Sequence, residues 1–228
     1  MKRYAGLIIL LIGLLCILFL IAPYAHLPSS NPPTSTPSSS AVEMTVAQIQ
    51  NSTDTYTVSA EYPQFGIPSI DPQIKAAVET AVSQFEALPA NPPDSATPQN
   101  QFTGSFDNIY VDPDVVSVEL ILYQYTGGAH GLTVFSGLNF DRATGKMLTL
   151  DDALAMTGLT LQQLSIQASS QLAVKLGDAF QFPEGVSADP QNFNSFLVSG
   201  GQITFLLQEY QVAAYSEGPQ EVTFDRVK

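Results

Sequence analysis

Residues Tyr123–Leu150 read Tyr-Gln-Tyr-Thr-Gly-Gly-Ala-His-Gly-Leu-Thr-Val-Phe-Ser-Gly-Leu-Asn-Phe-Asp-Arg-Ala-Thr-Gly-Lys-Met-Leu-Thr-Leu, and their order decides the fold. Gly127, Gly128 and Gly131 fall within five residues, which ends one strand and permits a turn through positive φ. Leu132, Val134, Leu138 and Phe140 then recur with period two, the pattern of a strand with one buried face. Asp141–Lys146 carries turn chemistry, and Thr149 followed by Asp152 caps a short helix through Met156. Strand, glycine turn, strand, tight turn and helix start follow one another without a gap.

Upstream, Phe102–Val111 and Val115–Tyr125 flank Asp112-Pro113-Asp114 and are expected to form a β-hairpin. In its second arm Val116, Val118, Leu120 and Leu122 share one face while Ile121, Tyr123 and Tyr125 weight the other. That strand is therefore expected to be central and covered on both sides. Thr55–Tyr62 alternates as a strand, and Asp71-Pro72 opens a helix with Asp71 as N-cap. Ile74, Val78, Ala81, Val82 and Phe85 keep one apolar stripe through Leu88, after which Pro89, Pro92 and Pro93 end the helix. Asn91–Asn100 reads as a loop.

Downstream, Thr160 and Gln163 form a second capping box, and Leu161, Leu164, Ala168, Leu172 and Leu176 line one face of a helix that Gly177 ends. Asn192–Val198 reads as a short helix or strand. Gln202–Gln208, Tyr210–Tyr215 and Glu221–Phe224 are expected to close the chain as three short strands. Strands grouped around separate helices predict an α+β domain, an antiparallel β-sheet with two main helices packed on it, over residues 55–228 with lobes of roughly 55–100 and 101–228.

The region before this domain differs in kind. Lys2 and Arg3 precede Ala5–Ala22, a run without charge whose eighteen residues would span roughly 27 Å as a helix, close to a bilayer core. Small residues are not well placed for cleavage after Ala22 or Ala25, so residues 1–27 are expected to be an uncleaved signal anchor, the alternative being a removed signal peptide and a secreted protein. The basic residues at the short end place the domain outside the cytoplasm, on a single-pass membrane protein. A Pro/Ser/Thr-rich tether over 28–54 is expected to hold the domain away from the membrane. Beyond the anchor, six basic residues face twenty-one acidic ones, a net charge of −15. That balance argues against a nucleic-acid partner and favours attraction of a cationic one. The only cysteine, Cys16, lies in the anchor, so the outer domain is expected to fold without a disulfide.

The run Gly127-Gly128-Ala129-His130, Asn139-Phe140-Asp141, Thr144-Gly145-Lys146 and Leu148-Thr149-Leu150-Asp151-Asp152 resembles one bacterial exported domain family. That family forms the outer part of the lysozyme-sensing anti-sigma factor RsiV and the N-terminal region of the peptidoglycan deacetylase PdaC. Phe205, Tyr210-Gln211-Val212-Ala213, Tyr215 and Gly218 resemble its closing strands, and Tyr62-Pro63-Gln64-Phe65 with the following helix resembles its companion region. The likeness covers roughly Thr55–Phe224. It implies an exported α+β domain and no particular activity. Only Met1–Tyr4 would lie inside the cell, and the chain stops at Lys228, so neither sigma-factor capture nor deacetylase catalysis is expected to carry over.

Few residues here suit catalysis. His130 is the domain's only histidine, Ser136 lies mid-strand, and no Gly-x-Ser-x-Gly elbow accompanies Asp141, which counts against a Ser-His-Asp hydrolase. Asp112 and Asp114 fit a turn, and Asp151 and Asp152 fit a helix start, without a calcium-loop pattern. No metal and no cofactor is expected. Tyr123, Tyr125, Tyr210 and Tyr215, with His130, are the candidate ligand-binding residues, since aromatic side chains offer large contact area at small entropic cost. The expectation is a membrane-tethered extracytoplasmic binding or sensing module, not an enzyme, whose partner is a lysozyme-like cationic protein or a cell-wall fragment. The alternatives are an envelope-glycan or peptide-processing enzyme with a carboxylate site, and a structural envelope protein.

Overall fold

A computed structural model describes residues 43–91 and 98–227. The anchor and most of the tether lie outside the described residues. No described helix is long and apolar enough to cross a membrane.

Five strands form one sheet in the order of the chain: β1 (Thr45–Ser52), β2 (Tyr56–Gln64), β3 (Asn100–Val111), β4 (Val115–Tyr125) and β5 (Leu132–Asp141). All neighbours pair antiparallel except β2 and β3, which run parallel and are joined through helix α1 (Asp71–Glu86). β1 falls within 28–54, the stretch expected to be tether, so the folded domain begins by Thr45 and not at residue 55. Only Ala47 and Ile49 of this strand pack against the core, so it carries a weak apolar signature. The stripe from Ile74 to Phe85 is buried, whereas Leu88, its expected end, lies past the helix end at Glu86 and is exposed. Phe85 lies 5.4 Å from the Phe102 ring and 6.1 Å from that of Tyr56. Burying side chains of this size contributes about 1.5–3 kcal/mol each.

Asp71 does not act as the N-cap. It stands at the first helical position after Ile70, and its carboxylate accepts from the Phe65 and Ile67 amides at 2.9 and 3.1 Å. The turn between Pro63 and Pro68 leaves those two donors without a ladder, and Asp71 satisfies them.

The second layer begins with α2 (Leu150–Thr157) and α3 (Leu161–Leu176), each opened by the capping box read from sequence. Three further strands, β6 (Phe196–Val198), β7 (Gln202–Leu207) and β8 (Gln220–Asp225), form a separate antiparallel sheet. Its core gathers around Phe205, whose ring lies 5.6–5.9 Å from those of Phe193, Phe196 and Phe224. Leu164, Ala168 and Leu172 of α3 cover it.

Strand β4 is central, as expected. Val116, Val118, Leu120 and Leu122 face the α1 core, while Val115 joins the core of the second layer and Ser117 and Glu119 are buried beside it.

The two sheets meet through side chains and not through a ladder. The Asn139 amide donates to the Phe196 carbonyl at 2.6 Å and accepts from the Val198 amide at 3.0 Å, pairing with β6 as a strand would. In return, the Gln208 amide both accepts from and donates to the Phe135 backbone of β5, at 2.9 and 2.8 Å. Ser195 accepts from the Gly137 amide and donates to the Phe135 carbonyl. The free edge of β5 is thereby closed, which removes a template for unwanted strand pairing. Gly137 permits this approach, because a Cβ there would overlap the Phe196 carbonyl oxygen.

Candidate functional site

Three of the five candidate residues meet in a surface cluster, and a fourth lies beside it. The end of β4 presents Tyr123 and the following glycine turn presents His130. The loop after β7 supplies Tyr210, and a short 3-10 turn, Tyr215–Glu217, supplies Tyr215. The His130 and Tyr215 rings stack with centroids 3.9 Å apart and planes 18° from parallel. Tyr210 lies 5.5 Å from Tyr215, and its hydroxyl is 3.2 Å from His130 Nε2. His130 Nδ1 is 2.8 Å from the Gly131 carbonyl oxygen, which can only accept, so Nδ1 carries the proton. In the neutral ring Nε2 then accepts from Tyr210, and both nitrogens are engaged.

Gly131 has a packing role beyond its turn. The Tyr123 ring lies where a Cβ would project, so any larger residue would displace that ring. Tyr125 plays a different part from the others: its hydroxyl donates to the Gly128 carbonyl at 3.0 Å and pins the glycine turn. Gly127 and Gly128 adopt φ of 99° and 105°, the positive range expected from their spacing.

The segment Tyr210–Tyr215 is a loop and not the expected strand. Its hydrogen bonds lie elsewhere: the Gln208 backbone N–H donates to Gln211 Oε1, while the backbone N–H groups of Gln181 and Phe182 donate to the Val212 carbonyl. Gln211 Nε2 reaches the Gly185 and Asn192 carbonyls, so the loop is tied to its surroundings with Val212 and Ala213 as its buried plug. Tyr210 adopts φ of 65° and is 45 % exposed. A left-handed conformation costs a non-glycine residue about 1–2 kcal/mol. Such outliers persist where surrounding contacts over-determine them, and they concentrate at functional sites. Glu209 was not legible as a site residue. Its carboxylate accepts from the Thr133 amide at 3.3 Å, and it lies near Tyr215. Partial burial, then the Glu209 charge and the Tyr123 and Tyr210 hydroxyls, raise the Tyr215 phenol above the ordinary tyrosine value.

Among the acidic residues weighed as metal ligands or as part of a triad, Asp112, Asp141 and Asp152 are engaged in structural hydrogen bonds. Asp112 Oδ1 accepts from the Asp114 and Val115 amides at 2.8 and 2.6 Å, and Tyr110 donates to its Oδ2. Burial pushes its pKa up, but these hydrogen bonds outweigh that and hold it below the usual carboxylate value. Asp152 closes the α2 capping box, and Asp141 accepts from the Thr144 amide and hydroxyl. His130 and Asp141 lie at opposite ends of β5, about 30 Å apart at a strand's rise, and Ser136 falls on the face of β5 opposite Phe135 and Gly137. His130, Ser136 and Asp141 therefore do not assemble as a hydrolase triad. Glu119 is buried on β4 and accepts from Asn108 Nδ2 at 2.6 Å. Among the described residues, no three histidine, cysteine or acidic side chains are grouped to hold a metal ion.

The sequence of this domain matches two family descriptions in succession. Residues 49–133 match "Deacetylase PdaC" and residues 155–226 match "Protein of unknown function (DUF3298)". The chain carries a domain of the PdaC/DUF3298 type. Peptidoglycan-N-acetylmuramic acid deacetylase PdaC of Bacillus subtilis is 26 % identical over 186 residues, and the aligned region covers 79 % of this chain but 40 % of that protein. The immunogenic protein MPT64 of Mycobacterium tuberculosis is 22 % identical, covering 78 % of each. The crystal structure of a DUF3298 family protein from Pseudomonas aeruginosa superposes with a TM-score of 0.56 at 21 % identity, covering 82 % of this chain and 91 % of the other. A second, from Bacteroides fragilis, gives 0.52 at 18 % identity, covering 81 % and 90 %. Both establish the α+β fold. Tyr123 and His130 belong to the first matched span, and Tyr210 and Tyr215 to the second, so the cluster forms only where the two come together.

Proposed function

We propose that this chain is a membrane-tethered, extracytoplasmic binding module that engages cell-wall material through the ledge formed by His130, Tyr210 and Tyr215, with Tyr123 at its base. One observation carries the reading: a partly exposed aromatic stack, assembled from both matched spans, is held by a hydrogen bond through a tyrosine in left-handed conformation. Ring faces of this kind accept the apolar face of a sugar, while neighbouring hydroxyl and carboxylate groups orient it. The printed name of the Bacillus relative, a peptidoglycan deacetylase, supports a cell-wall ligand. Chemistry on that ligand is not part of the proposal, since both His130 nitrogens are engaged and Asp112, Asp141 and Asp152 serve turns and a helix cap.

The test is calorimetric titration of the purified protein with soluble peptidoglycan fragments. Saturable binding is expected, weakened at least tenfold by Tyr210→Ala or Tyr215→Ala, about 1.4 kcal/mol or more. No saturable heat, or undiminished binding by both variants, would reject the ledge. A second reading, a lysozyme-like cationic protein as ligand, is favoured by the net charge of −15 beyond the anchor. Its mark would be lysozyme binding that weakens steeply with added salt.

A further inference from the structure

We propose that the part of the five-stranded sheet's outer face left free by the second layer continues the aromatic ledge into a strip that binds a glycan chain bearing free amines. The inference rests on the ledge as a glycan site and adds a footprint and a ligand charge. Pairing registers place Gln50, Ser59, Thr103, Tyr123 and Thr133 in one row across β1 to β5. At a strand spacing of about 4.8 Å the row runs roughly 19 Å, long enough for several linked sugar rings. Gln50, Ser59 and Thr103 are exposed, and they offer hydroxyl and amide groups suited to hydrogen bonding with a sugar chain.

The charge on this strip has one sign. Glu61, the next residue on the same face of β2 after Ser59, is exposed and holds Gln48 through a 2.7 Å hydrogen bond. At the other end Glu209 is bound to the Thr133 amide of the same row. Asp107 continues the exposed face of β3. None of the lysines or arginines falls within the row or these flanking positions. An anionic polymer is therefore repelled, and an ammonium group on a sugar finds a carboxylate near either end of the row while its ring lies against the ledge.

Glucosamine hexamer, its N-acetylated counterpart, N-acetylglucosamine disaccharide and a lysine hexapeptide serve as probes, titrated into the full chain at low and moderate salt. The free-amine hexamer is expected to bind at least tenfold tighter than the acetylated one. Glu61→Gln should reduce that preference. Thr103→Lys should weaken the hexamer at least tenfold yet spare the disaccharide, with an unchanged Tm showing that the fold is intact. Equal binding of the two hexamers, or a hexamer indifferent to Thr103→Lys, would overturn the strip while leaving the ledge in place. A lysine hexapeptide bound as tightly as the glucosamine hexamer would also overturn it, by showing that charge alone suffices. Failure of every sugar probe would remove the ledge as well.

Discussion

Asn139→Ala tests the joint between the two sheets. The buried Asn139 amide is the donor to the Phe196 carbonyl and one of two acceptors for the Val198 amide, the other being Ser117 Oγ at 3.2 Å. Ser117 can retain Val198 after truncation, but the Phe196 carbonyl loses its donor. A buried polar group without a partner costs about 1–3 kcal/mol, and the small void adds about 1 kcal/mol. The expected loss is therefore about 3 kcal/mol, a large share of the roughly 5–15 kcal/mol that holds a domain together. For a domain of this size it corresponds to a fall in Tm of about 6–12 °C. Urea unfolding can be followed through tyrosine fluorescence, since the chain has nine tyrosines and no tryptophan. Gln50→Ala is the control, because that exposed amide makes one 3.3 Å bond to Gln48 and its loss should fall within about 0.5 kcal/mol. An Asn139→Ala midpoint no lower than that of the control would refute the joint as described.

Gly137→Ala should cost about 1–3 kcal/mol through overpacking against the Phe196 carbonyl, and amide exchange at Val198 should quicken; unaltered exchange and stability would contradict the close approach. Glu119 gives a pH test. Burial raises its carboxyl pKa against the pull of the Asn108 amide, and the Glu221 and Asp107 charges add to the rise. A folded-state value above the unfolded one means that the group's contribution is fully present below the unfolded pKa and is lost as pH rises through the folded one. Glu119→Gln is thus expected to raise Tm at pH 7 and to lose that advantage near pH 4, whereas a difference constant over that window would contradict the assignment.

Much of the fold was legible because its signals are local. The α1 stripe, the hairpin around Asp112–Asp114 and both capping boxes depend on residues within a few positions of one another. What escaped depends on distant partners. β1 buries too little to announce itself beside a proline- and serine-rich stretch, and the parallel pairing of β2 with β3 spans a helix and a loop. Tyr210–Tyr215 has the composition of a strand, but Gln211 binds carbonyls at Gly185 and Asn192, which no local pattern encodes. The candidate residues could be named from their chemistry alone. That His130 would stack on Tyr215, with Tyr125 given to the turn, required the return of the loop after β7.

The joint at Asn139, Ser195 and Gln208 has a consequence for how such domains diversify. A sheet extended by backbone pairing tolerates almost any sequence along its ladder, so point mutation rarely disconnects it. Here the connection depends on a few carboxamide and hydroxyl side chains, and most of β5 falls between the two matched spans. Single codon changes can loosen, retune or sever the partnership of the layers while leaving each layer's own strands paired. Lineages can thus vary one half against the other, and with it the shape of any surface the two halves build together.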